Sequence, residues 1–307
     1  MGLGTAHVTK TTAQTFVPAI WSDEIVASYQ KNLVAANLIK KMSFKGKKGD
    51  TINIPAPTRG SASLKAASTQ VNLIAATEGN VQVLINKHYE YSRLIEDIVE
   101  VQALNSLRQF YTSDAGYALA RQVDTDVLAL GRDANGGGGT LAYSGAFSGA
   151  DGTTAYVAGA NTGLGALTDS AIRRSIQRLD DNDVPMDSRF LIIPPSTRNT
   201  MMGINRFTEQ AYVGEQGSGN TIRNGEIGNV YGIPVFVTSN AETTSGSTAC
   251  RIALMGHKDA GVLVEQMGVR SQTQYKQEYL ATLYTADTLY GTKELRDFSL
   301  VALAVPA

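Results

Sequence analysis

The chain has 307 residues, which is enough for one large domain or two ordinary ones. Its hydrophobic fraction of 43% is typical of globular proteins, so disorder is not the expected state. With 27 basic and 28 acidic residues the net charge is -1, which disfavours a dedicated DNA-binding domain. One cysteine and three histidines provide neither an internal disulfide nor zinc spacing, and no apolar run is long enough for a membrane helix. We therefore expect a soluble chain of a reducing compartment that needs no metal or cofactor.

The N-terminal segment is basic although the whole chain is almost neutral. Residues 1–48 hold seven lysines and two acidic residues, a net charge of +5, which leaves -6 for the remainder. An apolar series with three- and four-residue spacing from Ile25 to Leu38 predicts an amphipathic helix. The lysines are candidates for nonspecific, salt-sensitive contact with nucleic acid or an acidic partner, and the strongest candidates are Lys40, Lys41, Lys47 and Lys48.

A projecting hairpin is predicted next. The alternating segment Thr51–Pro55 lies between Gly49-Asp50 and a proline pair, and Val81–Asn86 is its expected partner strand. The 24 residues from Pro57 to Asn80 are mostly small or polar and have little to bury. An arm that leaves the body of the protein explains this composition better than a buried loop.

A long helix and a glycine-rich segment follow the hairpin. Helical periodicity predicts a helix from Gln102 to Leu130, whereas the residues between 90 and 101 are compatible with strand or loop. Residues 131–165 contain 11 of the 30 glycines and almost no charge. This composition predicts a flexible surface excursion.

The remaining sequence predicts an α/β module. Thr168 is the expected N-cap of an amphipathic helix that ends near the acidic residues Asp180, Asp181 and Asp183. The predicted strands are Arg189–Ile193, Ile233–Thr238, Arg251–Met255, a long alternating segment Val269–Tyr284 and the C-terminal Leu300–Val305.

The chemical motifs of enzymes are absent or weak. The chain has no GxSxG element and no GxxxxGK[ST] loop, and Gly163-Leu164-Gly165 lacks the third glycine of a dinucleotide loop. The acidic residues at 180–183 can be interpreted as a cation site or as a solvated helix end, and the solvated end is favoured because no glutamate follows at the calcium-loop position. The tyrosines at 275, 279, 284 and 290 can be interpreted as a ligand groove or as packing residues, and packing is favoured.

The order of these elements resembles the major capsid proteins of tailed bacteriophages, which share the Hong Kong 97-type fold. The passages that carry the resemblance are FVPAIWSDEI, GDTINIPAP, QVDTDVLALG, LDDNDVPMDSRFLIIPPS, GEIGNVYGIPVFVTSN and the stretch from HKDAGVLVEQMGV to YGTKEL. They are similar, in this order, to the arm, extended loop, spine helix, axial domain and peripheral domain of these proteins. The likeness extends over nearly the whole chain.

The resemblance implies an α+β fold with five segments. These are an N-terminal arm at 1–48, an extended β-hairpin loop at 49–89, a peripheral domain with a long spine helix at 90–131 and 266–295, a glycine-rich loop insertion at 132–165, and an α/β axial domain at 166–265 and 296–307.

The resemblance also implies a structural function and no enzymatic activity. The chain would assemble as pentamers and hexamers into an icosahedral shell around double-stranded DNA, with scaffolding, portal and decoration proteins as partners and no membrane. It would reside in the virion, and in the host cytoplasm before assembly. In the extended loop the implied assembly residues are Arg59, Leu64, Lys65 and Val71.

Some members of this family crosslink a loop lysine to an asparagine of the peripheral domain. Lys65 is available, but the candidate receiving loop Tyr284–Tyr290 contains Asp287 and no asparagine, so no crosslink is expected. Two alternatives remain from other classes: a soluble ligand-binding enzyme that uses the 166–265 module, and a nucleoid-like DNA binder that uses the basic arm.

Overall fold

The computed structural model describes residues 34–46, 48–57, 60–71, 73, 78–98, 106–159, 165–204, 228–245 and 250–307. The helices of this part are α1 (Ala35–Leu38), α2 (Ser106–Leu128), α3 (Asp169–Asp181) and α4 (Pro195–Met202), with short 3-10 turns at Ala129–Arg132, Ala134–Gly136, Lys258–Ala260 and Asp297–Ser299. The strands are β1 (Lys40–Ser43), β2 (Thr51–Pro57), β3 (Glu78–Leu84), β4 (Lys87–Glu96), β5 (Phe147–Ser148), β6 (Arg189–Ile193), β7 (Asn229–Val230), β8 (Ile233–Val237), β9 (Cys250–His257), β10 (Gly261–Lys276), β11 (Ala281–Glu294) and β12 (Leu300–Pro306).

A four-stranded sheet carries the long helix α2. Its strand order is β1-β10-β11-β4, with β1 parallel to β10 and the other neighbours antiparallel. Helix α2 packs Ala115 and Leu119 against Tyr284 and Ala286 of β11. The segment Val269–Tyr284, which alternates in sequence, spans the end of β10, a turn and the start of β11.

The second sheet has six strands, in the order β5-β12-β9-β6-β8-β7. Helix α3 covers one face with Ile172 and Leu179, and the Thr168 hydroxyl accepts a hydrogen bond from the Ala171 amide as the predicted N-cap. The end of α2 and the glycine-rich segment cover the other face. Strands β6 and β9 therefore bury both faces, which explains their nearly continuous apolar sequences.

The glycine-rich segment corrects one prediction. Its described part is not a flexible surface excursion, because Tyr143 and Tyr156 are buried against the six-stranded sheet. A Cβ at Gly145 would lie 2.1 Å from the carbonyl oxygen of Ala134, so glycine is required there for close backbone packing. Arg132 and the Tyr143 hydroxyl both donate hydrogen bonds to Glu242. Gly163 and Leu164 of the weak dinucleotide motif lie outside the described residues.

Two of the boundaries expected from the sequence fall inside strands. The boundary at 265/266 lies within β10, because β10 already pairs with β1 at Val262. The boundary at 89/90 lies within β4, since this strand pairs with β11 from Lys87 onward. The part of the predicted arm helix before Val34 lies outside the described residues, and α1 is its end.

Candidate assembly surfaces

The hairpin β2-β3 rests on the four-stranded sheet by one face. Its strands pair antiparallel as predicted, with Ile54 opposite Val81. Ile52, Ile54 and Val83 pack in a cluster with Val262 of β10 and further apolar side chains of that sheet. The base of the hairpin is therefore fixed to the body by ordinary apolar packing.

Beyond this base the loop tip, defined as residues 60–71 and 73, is exposed throughout. Leu64 is 101% exposed, Leu73 96% and Val71 64%. Lys65 is exposed as well, whereas Arg59 lies outside the described residues. Large apolar side chains that are exposed on a projecting loop make it a candidate interaction surface, because a partner that removed them from water would stabilise the contact.

The lysine patch, defined as Lys40, Lys41, Lys45 and Lys48, surrounds the edge strand β1. The Lys41 ammonium donates to Asn37 Oδ1 at 2.8 Å, and Lys45 Nζ lies 3.3 Å from Glu265 Oε2. Lys40 and Lys48 are exposed, and Lys47 lies outside the described residues. The patch and the loop tip are separate parts of the surface, at the base and the end of the same hairpin.

A second apolar surface lies at the end of the four-stranded sheet where β10 turns into β11. This distal patch consists of Leu94, Ile98, Tyr279 and Leu280, whose exposures range from 46% to 66%. The packing interpretation of the tyrosines is correct for the buried Tyr284 and Tyr290 and wrong for Tyr275 and Tyr279, which are exposed at this end. No local pattern distinguishes them, because the burial of Tyr284 depends on contact with Ala115 and Leu119 of α2, which are distant in sequence.

A cross-strand ion cluster occupies the strands where a receiving loop was expected. Residues 284–290 form the interior of β11 and not a loop, which corrects that expectation. The Arg270 guanidinium donates to both carboxyl oxygens of Asp287 at 2.7 and 2.9 Å, and His88 Nε2 lies 3.0 Å from Oδ2. These hydrogen bonds lower the pKa of Asp287 to about 2. The cluster therefore links the strands β4, β10 and β11 through side-chain hydrogen bonds.

Asp124 links helix α2 to α1 and to Asn240, which follows β8. Its side chain is fully buried. Oδ1 accepts hydrogen bonds from the amides of Ala35 and Ala36 at 2.7 and 3.4 Å, and Oδ2 accepts one from Asn240 Nδ2 at 3.1 Å. A cavity of about 10 Å³ beside this junction is lined by apolar side chains and is too small for an organic ligand. The role of Asp124 is therefore to hold neighbouring parts of the fold together, and not to bind a ligand.

Glu294, at the end of β11, is a buried carboxyl group without a hydrogen-bond partner among the described residues. Burial and, to a smaller extent, the nearby Asp297 and Asp133 together raise its pKa to about 8, and Lys293 opposes them. The folded chain therefore holds this group protonated at neutral pH, although an unfolded glutamate is ionised there.

The pH dependence of stability follows from this difference. Because the folded-state pKa is raised, the free energy of unfolding is expected to fall as the pH rises from about 4.5 to about 8 and to level off above that. Glu294→Gln should reduce the stability difference between pH 5 and pH 8 by roughly 1–3 kcal/mol in urea titrations of unassembled subunit. The control is the exposed Glu278→Gln. If the free energy of unfolding changed equally between pH 5 and pH 8 in Glu294→Gln and in the parent chain, the prediction would be contradicted.

Candidate sites for small ligands do not emerge from the described residues. Asp180 Oδ1 lies 2.7 Å from Arg189 Nη2, so this member of the acidic run pairs with a strand arginine. Within the described ranges no three histidine, cysteine or carboxylate side chains are placed to hold a metal ion. No helix in that part of the chain is long and apolar enough to cross a membrane.

The comparisons with known proteins agree with this arrangement. A model of the phage capsid protein family matches residues 94–297, more than half of the chain. This chain belongs to the phage capsid protein family. Among curated proteins, none matches it.

Solved phage structures are similar over nearly the full length. The structure of Mycobacterium phage Che8 is 21% identical with a TM-score of 0.72, and the match covers 94% of this chain and 97% of that one. The capsid of cyanophage P-SCSP1u is 18% identical with a TM-score of 0.72, covering 99% and 97%. The capsid of Ralstonia phage GP4 is 14% identical with a TM-score of 0.68, covering 94% of each.

The predicted Hong Kong 97-type α+β fold is therefore confirmed, and so is the expectation of a major capsid protein. The role of the chain is structural, and its place is the virion.

Proposed function

We propose that this capsid protein assembles as pentamers and hexamers into a closed icosahedral shell that encloses the double-stranded DNA of a tailed phage. The observation that carries the proposal is the loop tip, where Leu64, Val71 and Leu73 are exposed on a hairpin whose base is firmly packed. A rigid base aims this surface away from the subunit's own core. Contact with a neighbouring copy would bury it, and repeated head-to-tail contact of this kind closes rings.

The proposal includes further partners. Scaffolding, portal and decoration proteins are expected to join the shell, and assembly is expected to start in the host cytoplasm. The extended-loop residues Arg59, Leu64, Lys65 and Val71 would contact neighbouring subunits. The lysines at 40, 41, 47 and 48 would contact DNA or an acidic scaffold region.

Expression of the full chain, alone and with a scaffolding protein from the same genome, tests the proposal. Size-exclusion chromatography and electron microscopy should give capsomers or megadalton icosahedral shells. A monodisperse small oligomer under both conditions would contradict it. Such an oligomer with a turnover activity would favour the alternative of a soluble α/β enzyme that uses residues 166–265.

The lysines give a separate expected result. Replacing Lys40, Lys41, Lys47 and Lys48 with Gln should weaken binding to DNA or scaffold and flatten its salt dependence. The loss of slope should reach about four units if all four contact phosphate. Binding is measured between about 50 and 200 mM salt. A control variant replaces Lys258, Lys276 and Lys293 with Gln, and an unchanged slope in the variant that lacks Lys40, Lys41, Lys47 and Lys48 would refute the role.

A further inference from the structure

Three passages of the described chain connect the four-stranded sheet and its helix α2 to the six-stranded sheet. The first passage, residues 129–136, follows α2. The second, residues 258–260, joins β9 to β10, and the third, residues 295–299, joins β11 to β12. Together they form the crossover region. Any change in the angle between the two sheets must bend the chain there.

The third passage contacts both of the others. The amides of Leu295 and Arg296 donate hydrogen bonds to the Ala260 carbonyl of the second passage, at 2.8 and 3.3 Å. The 3-10 turn Asp297–Ser299 lies against the turn Ala134–Gly136 of the first passage. The position of the third passage therefore decides whether the crossover region is closed.

Glu294 directly precedes this third passage and is 5% exposed. Neither of its carboxyl oxygens has a hydrogen-bond partner among the described residues. The charged groups that act on it are Asp297 of the third passage, Asp133 of the first passage and the exposed Lys293. The other charged residues of the crossover region are exposed or paired elsewhere, namely Lys258, Asp259, Arg296 and Arg132, which bonds to Glu242.

Ionisation of Glu294 would place a negative charge beside two further carboxylates without a hydrogen-bond donor. A buried and unpaired charge is costly, so the ionised group is stable only where water reaches it. We propose that the crossover region is a pH-sensitive switch, in which ionisation of Glu294 separates the third passage from the first and lets the two sheets move relative to each other while each stays folded.

The direction of the switch follows from the burial of the group. Burial and the two aspartates raise the pKa of Glu294 to about 8 in the closed form, whereas an exposed glutamate in the open form has its ordinary value of about 4.5. The open form therefore gains population as the pH rises from about 4.5 to about 8, and the gain levels off above that. This local opening differs from the global loss of stability expected from the same carboxyl group, because neither sheet unfolds.

Hydrogen exchange of the unassembled full-length subunit tests the proposal. Exchange is followed by mass spectrometry at about pH 6 and about pH 8.5, with labelling times corrected for the chemical exchange rate. We expect the opening constant of the amides of Leu295 and Arg296 to rise about tenfold or more between these values. Urea below the unfolding transition should leave their exchange unchanged and should accelerate exchange in β9, which opens by global unfolding.

Matched variants identify the group responsible. Glu294→Gln keeps the shape of the protonated side chain and should abolish the pH response, whereas Glu278→Gln in the exposed β10-β11 turn should retain it. Asp133→Asn combined with Asp297→Asn removes the neighbouring like charges and should weaken the response, which keeps the test available if Glu294→Gln does not fold.

Two results would overturn the proposal. The first is exchange at Leu295 and Arg296 with the same urea dependence as in β9, because the crossover region would then open only when the whole subunit unfolds. The second is a pH response in Glu294→Gln as large as that of the parent chain, because another group would then cause the opening.

Discussion

Replacing residues 58–77 with a short Gly-Ser linker is expected to abolish stable shells while the subunit remains folded. The described part of this segment makes no apolar contact with the body, and Leu64 and Leu73 are almost completely exposed. Since hydrophobic stabilisation scales at about 25 cal/mol per Å² buried, the subunit loses almost none of it. Shortening the loop also lowers the entropic cost of closing it by about 1 kcal/mol of free energy, which favours the folded state.

The shell should respond differently because every copy loses the same contact at once. Circular dichroism and a melting temperature within about 3 °C of the parent chain would confirm folding, and electron microscopy would report assembly. Leu64→Ser, Val71→Ser and Leu73→Ser combined keep the length of the loop and remove only its apolar groups. If the deletion variant were unfolded, the loop would be part of the core. If the variant formed normal shells, the loop would not be needed for assembly.

Elements with local signals could be predicted from the sequence. The hairpin was predictable because the alternation at Thr51–Pro55 is bracketed by turn residues, and β2 indeed pairs with β3. The N-cap Thr168 and the strand Arg189–Ile193 were predictable for the same reason. In each case the information lies within about ten residues of the element.

Features that depend on distant residues could not be predicted. Glycine at position 145 permits both a flexible linker and a close backbone approach, and only the position of Ala134 selects the second. Asn240 and Asp124 lie 116 residues apart, so no spacing connects them. The apolar tip of the loop was a candidate from the resemblance. The distal patch had no signal, because Tyr279 lies in the β10-β11 turn, beyond the residues Tyr284 and Ala286 that contact α2.

Asp124→Ala is expected to destabilise the subunit by about 2–5 kcal/mol, the largest effect of a single substitution proposed for this chain. The change leaves the Ala35 amide buried without its acceptor and removes one of the two acceptors of Asn240 Nδ2, which keeps its hydrogen bond to Thr125 Oγ1 at 3.0 Å. An unsatisfied buried polar group costs about 1–3 kcal/mol. Because α1 directly precedes β1, loss of this contact also frees the end of the basic N-terminal segment from α2.

Asp124→Asn separates the hydrogen bonds from the packing. Asparagine keeps one acceptor, and rotation of the Asn240 amide can present its oxygen to the new amino group, so an intermediate loss is expected. The control is Asp114→Ala on the same helix, where the half-buried carboxyl accepts one bond, from the Tyr91 hydroxyl at 2.8 Å. Urea titrations should rank the losses Asp124→Ala, Asp124→Asn, Asp114→Ala. If Asp124→Ala cost no more than Asp114→Ala, the buried carboxyl would not hold together α1, α2 and the segment that contains Asn240.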